Sequence, residues 1–403
     1  MNLIVVSPHG RSGTIFIQSL FDAHPQVITF PTHKLNYPDW EVGMSAKECL
    51  VDFIKDNSHL FEGGAASIDG NELNLKSKFY KSGKLASPIS VNYFVEACRT
   101  ELGMSWSTSI TRKDFVIGIH KAYARLRGYD VSAIKYLLFH LHGYRDRNHE
   151  RALSDFPDMK FIAMARDPRE TWLSSDREWA RHNADAGIDY KTVRPLFFVR
   201  VMLRYKKAIQ GLISFSKKLP ADNVVVVDLN KFHELNRTAM TRLATWLDIE
   251  FTEALLESSF GGAAWLGNAA DRKPISGFDV NKSRYKWPSE LSDRDRDLIN
   301  FLLAPEIMLL RYSYDALVKC PNVPLTFPHR AYLYLRWREL DVASRSLSKS
   351  KTGALRYLRA GSSIAVGIMA AMRDYVTLIR QVRNLNDTKA NSEVLRISGW
   401  RLE

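Results

Sequence analysis

"SPHGRSGTIFIQSLFDAHP", residues 7–25, is the stretch from which the fold is read. Four apolar residues, Leu3–Val6, precede it, and Phe16, Ile17, Leu20 and Phe21 recur within it at helical spacing. Between them lies Gly10-Arg11-Ser12-Gly13-Thr14. The pattern predicts a strand, a tight turn and a helix. Two glycines let the backbone curl and come close to a ligand. The amides at a helix N-terminus point at an anion, and the helix dipole favours negative charge there. Arg11 adds a planar set of donors, and Ser12 and Thr14 add hydroxyls. The physics is that of a phosphate-binding loop, but the Walker pattern GxxxxGK[ST] is absent.

Working outward, short apolar runs recur at Phe115–Ile119, Lys160–Ala165 and Val224–Val227. Continuous runs of this kind suit parallel strands buried on both faces. Helical stretches are expected at Val131–His142, Arg169–Arg181 and Pro195–Phe215. The alternation predicts an α/β fold: a P-loop-like three-layer sandwich with a central parallel sheet, plus a basic helical C-terminal extension. Ligands of such sheets bind at the carboxyl ends of strands. Residues 1–327 read as the main domain, with 40–112 as an irregular insertion or lid, and 328–403 as the extension.

The chain of 403 residues carries a formal net charge of +13, which points to anionic ligands, nucleic acid or an anionic membrane surface. At 45% apolar and 11% aromatic it can build a sizeable core. Three widely spaced cysteines (Cys49, Cys98, Cys320) with no CxxC argue against a disulfide framework or structural zinc and fit a reducing, cytoplasmic setting. The first six residues read as a strand rather than a signal peptide, and no run of about 18 apolar residues predicts a transmembrane helix. From 330 on, 14 Lys and Arg face 6 Asp and Glu. Tyr332, Leu335, Trp337 and Leu340 interleave there with Arg336 and Arg338. Two readings stay open for this tail: a helical appendage packed on the main domain or on a second subunit, or a peripheral contact with an anionic membrane.

A second stretch, "FPDMKFIAMARDPRETWLSS" (156–175), narrows the class. Arg166 follows a predicted strand, and Ser174 lies about two helical turns later, so the two can converge on one phosphate. Together the two stretches resemble sulfotransferases that use 3′-phosphoadenosine 5′-phosphosulfate (PAPS). Their first loop reads like R/K-S-G-T-T/S and their second motif like a strand followed by R-[DN]-P-R-x₄-S. The resemblance covers residues 1–315 and is weak between 35 and 112. It implies that Gly10, Arg11, Ser12, Gly13 and Thr14 bind the 5′-phosphosulfate. Arg166 and Ser174 then bind the 3′-phosphate. "WLGN" (265–268) and "SRYKWPSELS" (283–292) resemble a late segment that closes over the nucleotide, which adds Arg284 and Lys286. One departure is Ile15, where the family has a second hydroxyl residue.

Sulfuryl transfer needs a base for the acceptor proton, cationic donors for the developing charge, and the reacting oxygens held in line. The acceptor is expected to offer a hydroxyl or amine: a saccharide, a glycolipid or another small molecule. No metal is expected, because a sulfuryl group carries less charge than a phosphoryl group. "FVIGIHKAY" (115–123) reads as a strand ending in His120 and Lys121. His120 matches the strand-end catalytic His of cytosolic sulfotransferases, although the neighbouring Lys and Pro of K-T-H-x-P do not match. A histidine near its ordinary pKa can act as base at neutral pH. His33, in "ITFPTHKLNY", is the second candidate. Lys121 and Arg11 are expected to stabilise the transferring group. His140, His142 and His149 read as structural or solvent-exposed, with His140 and His142 on different sides of a helix. Two alternatives compete: a P-loop kinase or nucleotide hydrolase, which predicts Mg²⁺ dependence and a Walker lysine, and a charge-driven membrane or nucleic-acid binder. No nucleic-acid partner is expected under the sulfotransferase reading, which predicts a cytoplasmic enzyme, peripheral to a membrane if the tail binds one.

Overall fold

The structure is a computed structural model. It describes residues 1–310 apart from 8–9, 33–34, 36, 41–42, 63, 70, 76–88, 142–145, 186–189, 265–274, 304–305 and 308–309. His33, His142, Cys320, the "WLGN" stretch and the extension 328–403 therefore lie outside the described residues. The described residues form two compact units, one from Met1–Ala165 and Gly211–Arg284, the other from Arg166–Gln210 and the residues from Tyr285 on.

The first unit is built on a five-stranded parallel sheet. Its strands are β1 (Asn2–Ser7), β2 (Val27–Ile28), β5 (Tyr136–His140), β6 (Lys160–Ala165) and β7 (Val224–Asp228). A hairpin of β3 (Gly64–Ile68) and β4 (Asn71–Leu75) stands apart from it. The order is β2-β5-β1-β6-β7, with Val6 paired to His140 on one side and to Ile162 on the other. The chain fills one side of β1 first and then the other, so the order reverses between β1 and β6. Ligands of open parallel sheets bind outside the carboxyl ends at such a point.

Strand parity explains the continuous apolar runs. Ile4, Val6, Leu138, Ile162, Met164, Val225 and Val227 face one way. They meet Phe16, Ile17 and Leu20 of α1 (Thr14–Phe21) and Phe232, Met240 and Leu243 of α8 (Leu229–Leu247). The alternate residues face the other way: Phe139 packs against His120 of α4 (Arg112–Leu126), and Phe161 against His149 of α5 (Asp146–Asp155) and Phe215 of α7 (Tyr190–Ser216). Both faces are covered, which gives three layers and removes any reason for polar alternation.

Three expectations change. Phe115–Ile119 is not a strand but the middle of α4: Thr111 caps that helix by accepting the Asp114 N–H, and Phe115, Ile119 and Tyr123 recur at helical spacing. A short buried apolar run has the same pattern in either conformation. The described part of the expected helix Val131–His142, residues 131–141, is a turn leading into β5, where Asp130 accepts from the N–H and hydroxyl of Ser132. His140 therefore sits on a strand, not a helix. The described part of the region 40–112 holds regular elements: α2 (Ala46–Asp56) carries a capping box between Ser45 and Glu48, and α3 (Val91–Leu102) packs on α4.

In the second unit α6 (Pro168–Asp185) buries Trp172 against Phe197 and Phe198 of α7. Arg194 pairs with Asp176 of α6 and, at 2.5 Å, with Asp295 of α10 (Asp293–Leu302). A short helix, α9 (Trp287–Glu290), lies against α6. No helix among the described residues is long and apolar enough to cross a membrane. Short strands β8 (Ser259–Phe260) and β9 (Ala263–Ala264) complete the described elements of the first unit.

Gly13 ties loop to core. It caps α1 with φ 85°, and a Cβ there would lie 2.3 Å from Leu229 Cδ1. Gly13→Ala is expected to lower stability by about 1–3 kcal/mol, read as a drop in urea midpoint with unchanged m-value.

Candidate functional site

β1 leaves the sheet at Ser7, whose hydroxyl lies 3.1 Å from His149 Nε2. Gly10, Arg11 and Gly13 then all take positive φ (89°, 51° and 85°). Arg11 in this region is strained, because only glycine adopts it without penalty. Successive left-handed turns at the start of a helix form a concave row of N–H groups of the kind that binds anions. Ser12 is buried at 1% exposure, and its hydroxyl has no partner among the described residues. A buried unsatisfied hydroxyl costs about 1–3 kcal/mol, which an anion oxygen would offset. Thr14, also buried, opens α1. Ile15 packs on the α1–α8 core, which accounts for an apolar residue at that place.

Gln18, not singled out by its sequence pattern, is the residue of α1 that shapes the neighbouring segment. Its buried amide donates to Thr29 Oγ1, Phe30 O and Thr32 O. Three bonds from one side chain hold the chain after β2 in place. A glutamine inside an otherwise apolar helical run was the signal available. His24, fully buried at the turn after α1, donates from Nε2 to the Glu250 carbonyl at 2.8 Å.

His120 lies within α4, fully buried, against Phe30 and Phe139. Its Nδ1 lies 2.7 Å from the Val116 carbonyl, so Nδ1 carries the hydrogen and Nε2 the lone pair. That Nε2 has no partner among the described residues. Burial pushes the imidazole down from 6.5 to about 4, against the carbonyl contact, which raises it. Lys121 beside it is half-buried. His140 and His149 are both buried. Among the described residues no three His, Cys, Asp or Glu side chains form a group that could hold a metal.

In the second unit Arg166 follows β6 directly, and the Tyr205 hydroxyl donates to its carbonyl. Its Nη2 lies 3.3 Å from Glu170 Oε2. Asp167 accepts from Arg169 Nη2 at 2.6 Å and from the Arg169 N–H, and both side chains are buried. Ser174 is half-buried on α6, and Lys286 is exposed just before α9. Arg284, exposed, ends the first unit, where Asn230 holds the carbonyls of Lys282 and Ser283. Each unit thus contains part of the predicted residue set: Gly10 to Thr14, His120, Lys121 and Arg284 in one, Arg166, Ser174 and Lys286 in the other.

Comparison with known proteins gives the class. The Sulfotransferase family matches residues 4–253, more than half of the chain, and the chain belongs to that family. The matched span takes in the Gly10–Thr14 loop and Arg166–Ser174, and ends before Arg284 and Lys286. No curated protein matches the sequence. Similar solved structures include the sulfotransferase domain from the curacin biosynthetic pathway (15% identity, 75% of this chain and 97% of that one, TM-score 0.40). Another is the sulfotransferase domain from the Synechococcus PCC 7002 olefin synthase (13%, 75% and 93%, TM-score 0.38). A third is sulfotransferase STF9 from Mycobacterium avium (12%, 76% and 76%, TM-score 0.34).

The state of His120 predicts a pH effect. The imidazole is neutral when folded, so below 6.5 the unfolded chain takes up a proton that the folded chain refuses until about 4. Stability present above 6.5 is therefore lost as pH falls toward 4. Between pH 7 and 4 the protein should lose about 3 kcal/mol more than His120→Leu, measured by urea unfolding across pH.

Proposed function

We propose that this family member transfers a sulfuryl group from PAPS to a hydroxyl or amine of a small acceptor. The observation that carries the reading is the family match over residues 4–253, which spans both the anion loop and the Arg166–Ser174 stretch. Left-handed backbone at Gly10, Arg11 and Gly13 and a Ser12 hydroxyl with no partner among the described residues support it, because that loop suits an anion that brings its own acceptor oxygens. In this reading the loop N–H groups, Arg11, Ser12 and Thr14 hold the 5′-phosphosulfate. Arg166 and Ser174 hold the 3′-phosphate, and Arg284 and Lys286 add positive charge from the late segment.

The transferring group supplies an electrophilic sulfur: the acceptor oxygen bonds to it as the sulfur–oxygen bond to phosphate breaks. His120 takes the acceptor proton on Nε2. The tautomer is already correct, since Nδ1–H is committed to Val116. A buried lone pair without a partner among the described residues is a group that a substrate hydroxyl can satisfy. Arg11 and Lys121 stabilise charge on the transferring group. His33 remains the second candidate for the base. The acceptor is proposed only as a class, a saccharide, glycolipid or other small molecule. Contact of the tail with an anionic membrane is proposed on its charge and interleaved aromatics, as is a cytoplasmic setting on cysteine usage.

Calorimetric titration with 3′,5′-ADP in the absence of Mg²⁺ tests the nucleotide reading. The protein should bind it, and Arg166→Ala should weaken binding about ten- to a hundredfold, the loss of a charge-assisted contact of roughly 1.5–3 kcal/mol. Absence of binding by the native protein would return the kinase and binder readings. For the base, His120→Asn should lower kcat about 10²–10⁴-fold while 3′,5′-ADP affinity stays within about twofold. Unchanged kcat in that variant, with a loss in His33→Asn, would move the role to His33.

A further inference from the structure

One carboxylate of the second unit makes three contacts at once. Glu170 lies one helical turn beyond Arg166, and its side chain is 4% exposed. Oε1 accepts the backbone N–H of Lys286 and that of Trp287, the latter at 2.7 Å. Oε2 faces Arg166 Nη2 at 3.3 Å. The same short stretch is fastened to α6 twice more. The Arg169 guanidinium, clamped by Asp167, lies 3.9 Å from the centre of the Trp287 ring, and Arg177 pairs with Glu290. A buried carboxylate is unfavourable unless its charge is hydrogen-bonded and paired. Here two N–H groups and a guanidinium meet that need. A glutamate in the first turn of a helix interacts favourably with the dipole even when exposed. The dipole alone therefore does not account for a buried side chain that reaches residues 116 and 117 positions away.

We propose that Glu170 is the positioning residue of the nucleotide site. One oxygen fastens the Lys286–Glu290 segment to α6, and the other orients the Arg166 guanidinium, so a single carboxylate sets two phosphate contacts from distant stretches. The proposal rests on the reading of Arg166 and Lys286 as phosphate contacts. A guanidinium presents its donors in a rigid planar fork, so a donor held by Glu170 fixes the plane in which the rest are offered. For Lys286 it is the backbone that is held, at its own N–H, which fixes the root of the side chain.

The test is calorimetric titration of 3′,5′-ADP into the full chain, its Glu170→Gln and Glu170→Ala variants, and Glu170→Ala combined with Arg166→Ala or with Lys286→Ala. Glu170→Ala should weaken binding at least about tenfold. Glu170→Gln should weaken it less, about threefold: its amide oxygen still accepts the two N–H groups, but its amide nitrogen is a donor and no longer holds Arg166. In the Arg166→Ala and Lys286→Ala backgrounds the effect of Glu170→Ala should shrink at least about threefold, since one cation through which it acts is already removed. A full, undiminished effect in both backgrounds overturns the proposal and assigns Glu170 a purely structural role. Affinity unchanged in Glu170→Ala also overturns it. If Glu170→Ala does not fold, unchanged affinity in Glu170→Gln does so instead. Failure of the native protein to bind 3′,5′-ADP overturns the nucleotide reading itself, an outcome distinct from native binding that Glu170 substitutions leave untouched.

Discussion

The pairing of β1 with a parallel neighbour on each side is the constraint on which the first unit depends. Val6 opposite both His140 and Ile162 brings the carboxyl ends of three strands to one edge of the sheet. The turn at Gly10–Gly13 follows the central one of those three ends. It turns back because Gly10, Arg11 and Gly13 take positive φ, and α1 can begin at once because Gly13 stands against Leu229. The sheet sets the place, and the turn sets the direction of the amides.

Charge in the second unit is handled differently. Arg169 and Asp167 are both buried and mutually bound, and Arg169 also covers Trp287. Arg194 joins Asp176 and Asp295 across three helices. Desolvated charges are tolerated only in such closed pairs. The result is a helix, α6, whose first turn is held stiffly. Arg166 lies just before that turn, and Ser174 two turns beyond Arg166.

His120 shows how the same residue changes meaning with its surroundings. At a strand end it would be an ordinary solvent-accessible base. Inside α4 it is a neutral ring with one nitrogen tied to Val116 and the other left over. Its pKa is lowered by burial, so it is a weaker base whose resting state near neutrality is uncharged. Among the described residues nothing meets its lone pair.

Much of the fold is legible in the amino-acid order. β6 has the expected limits to the residue, and α1 carries the four apolar residues expected at helical spacing, because an apolar run bounded by Gly, Pro or Asp has little choice of ends. The strand–turn–helix at the start of the chain is legible too, since Gly10 and Gly13 stand between two apolar runs and allow a tight turn. What the order leaves open is the conformation of short buried runs. "FVIGI" and "YLLFH" are equally apolar, yet one is helix and the other strand. Local pattern cannot separate them; the cap at Thr111 and the place between β1 and β2 in the sheet decide. The contacts of Gln18 and Glu170 belong to the same class. Their residue types are visible in the sequence, but the backbone groups that they hold are brought to them only when the chain has folded.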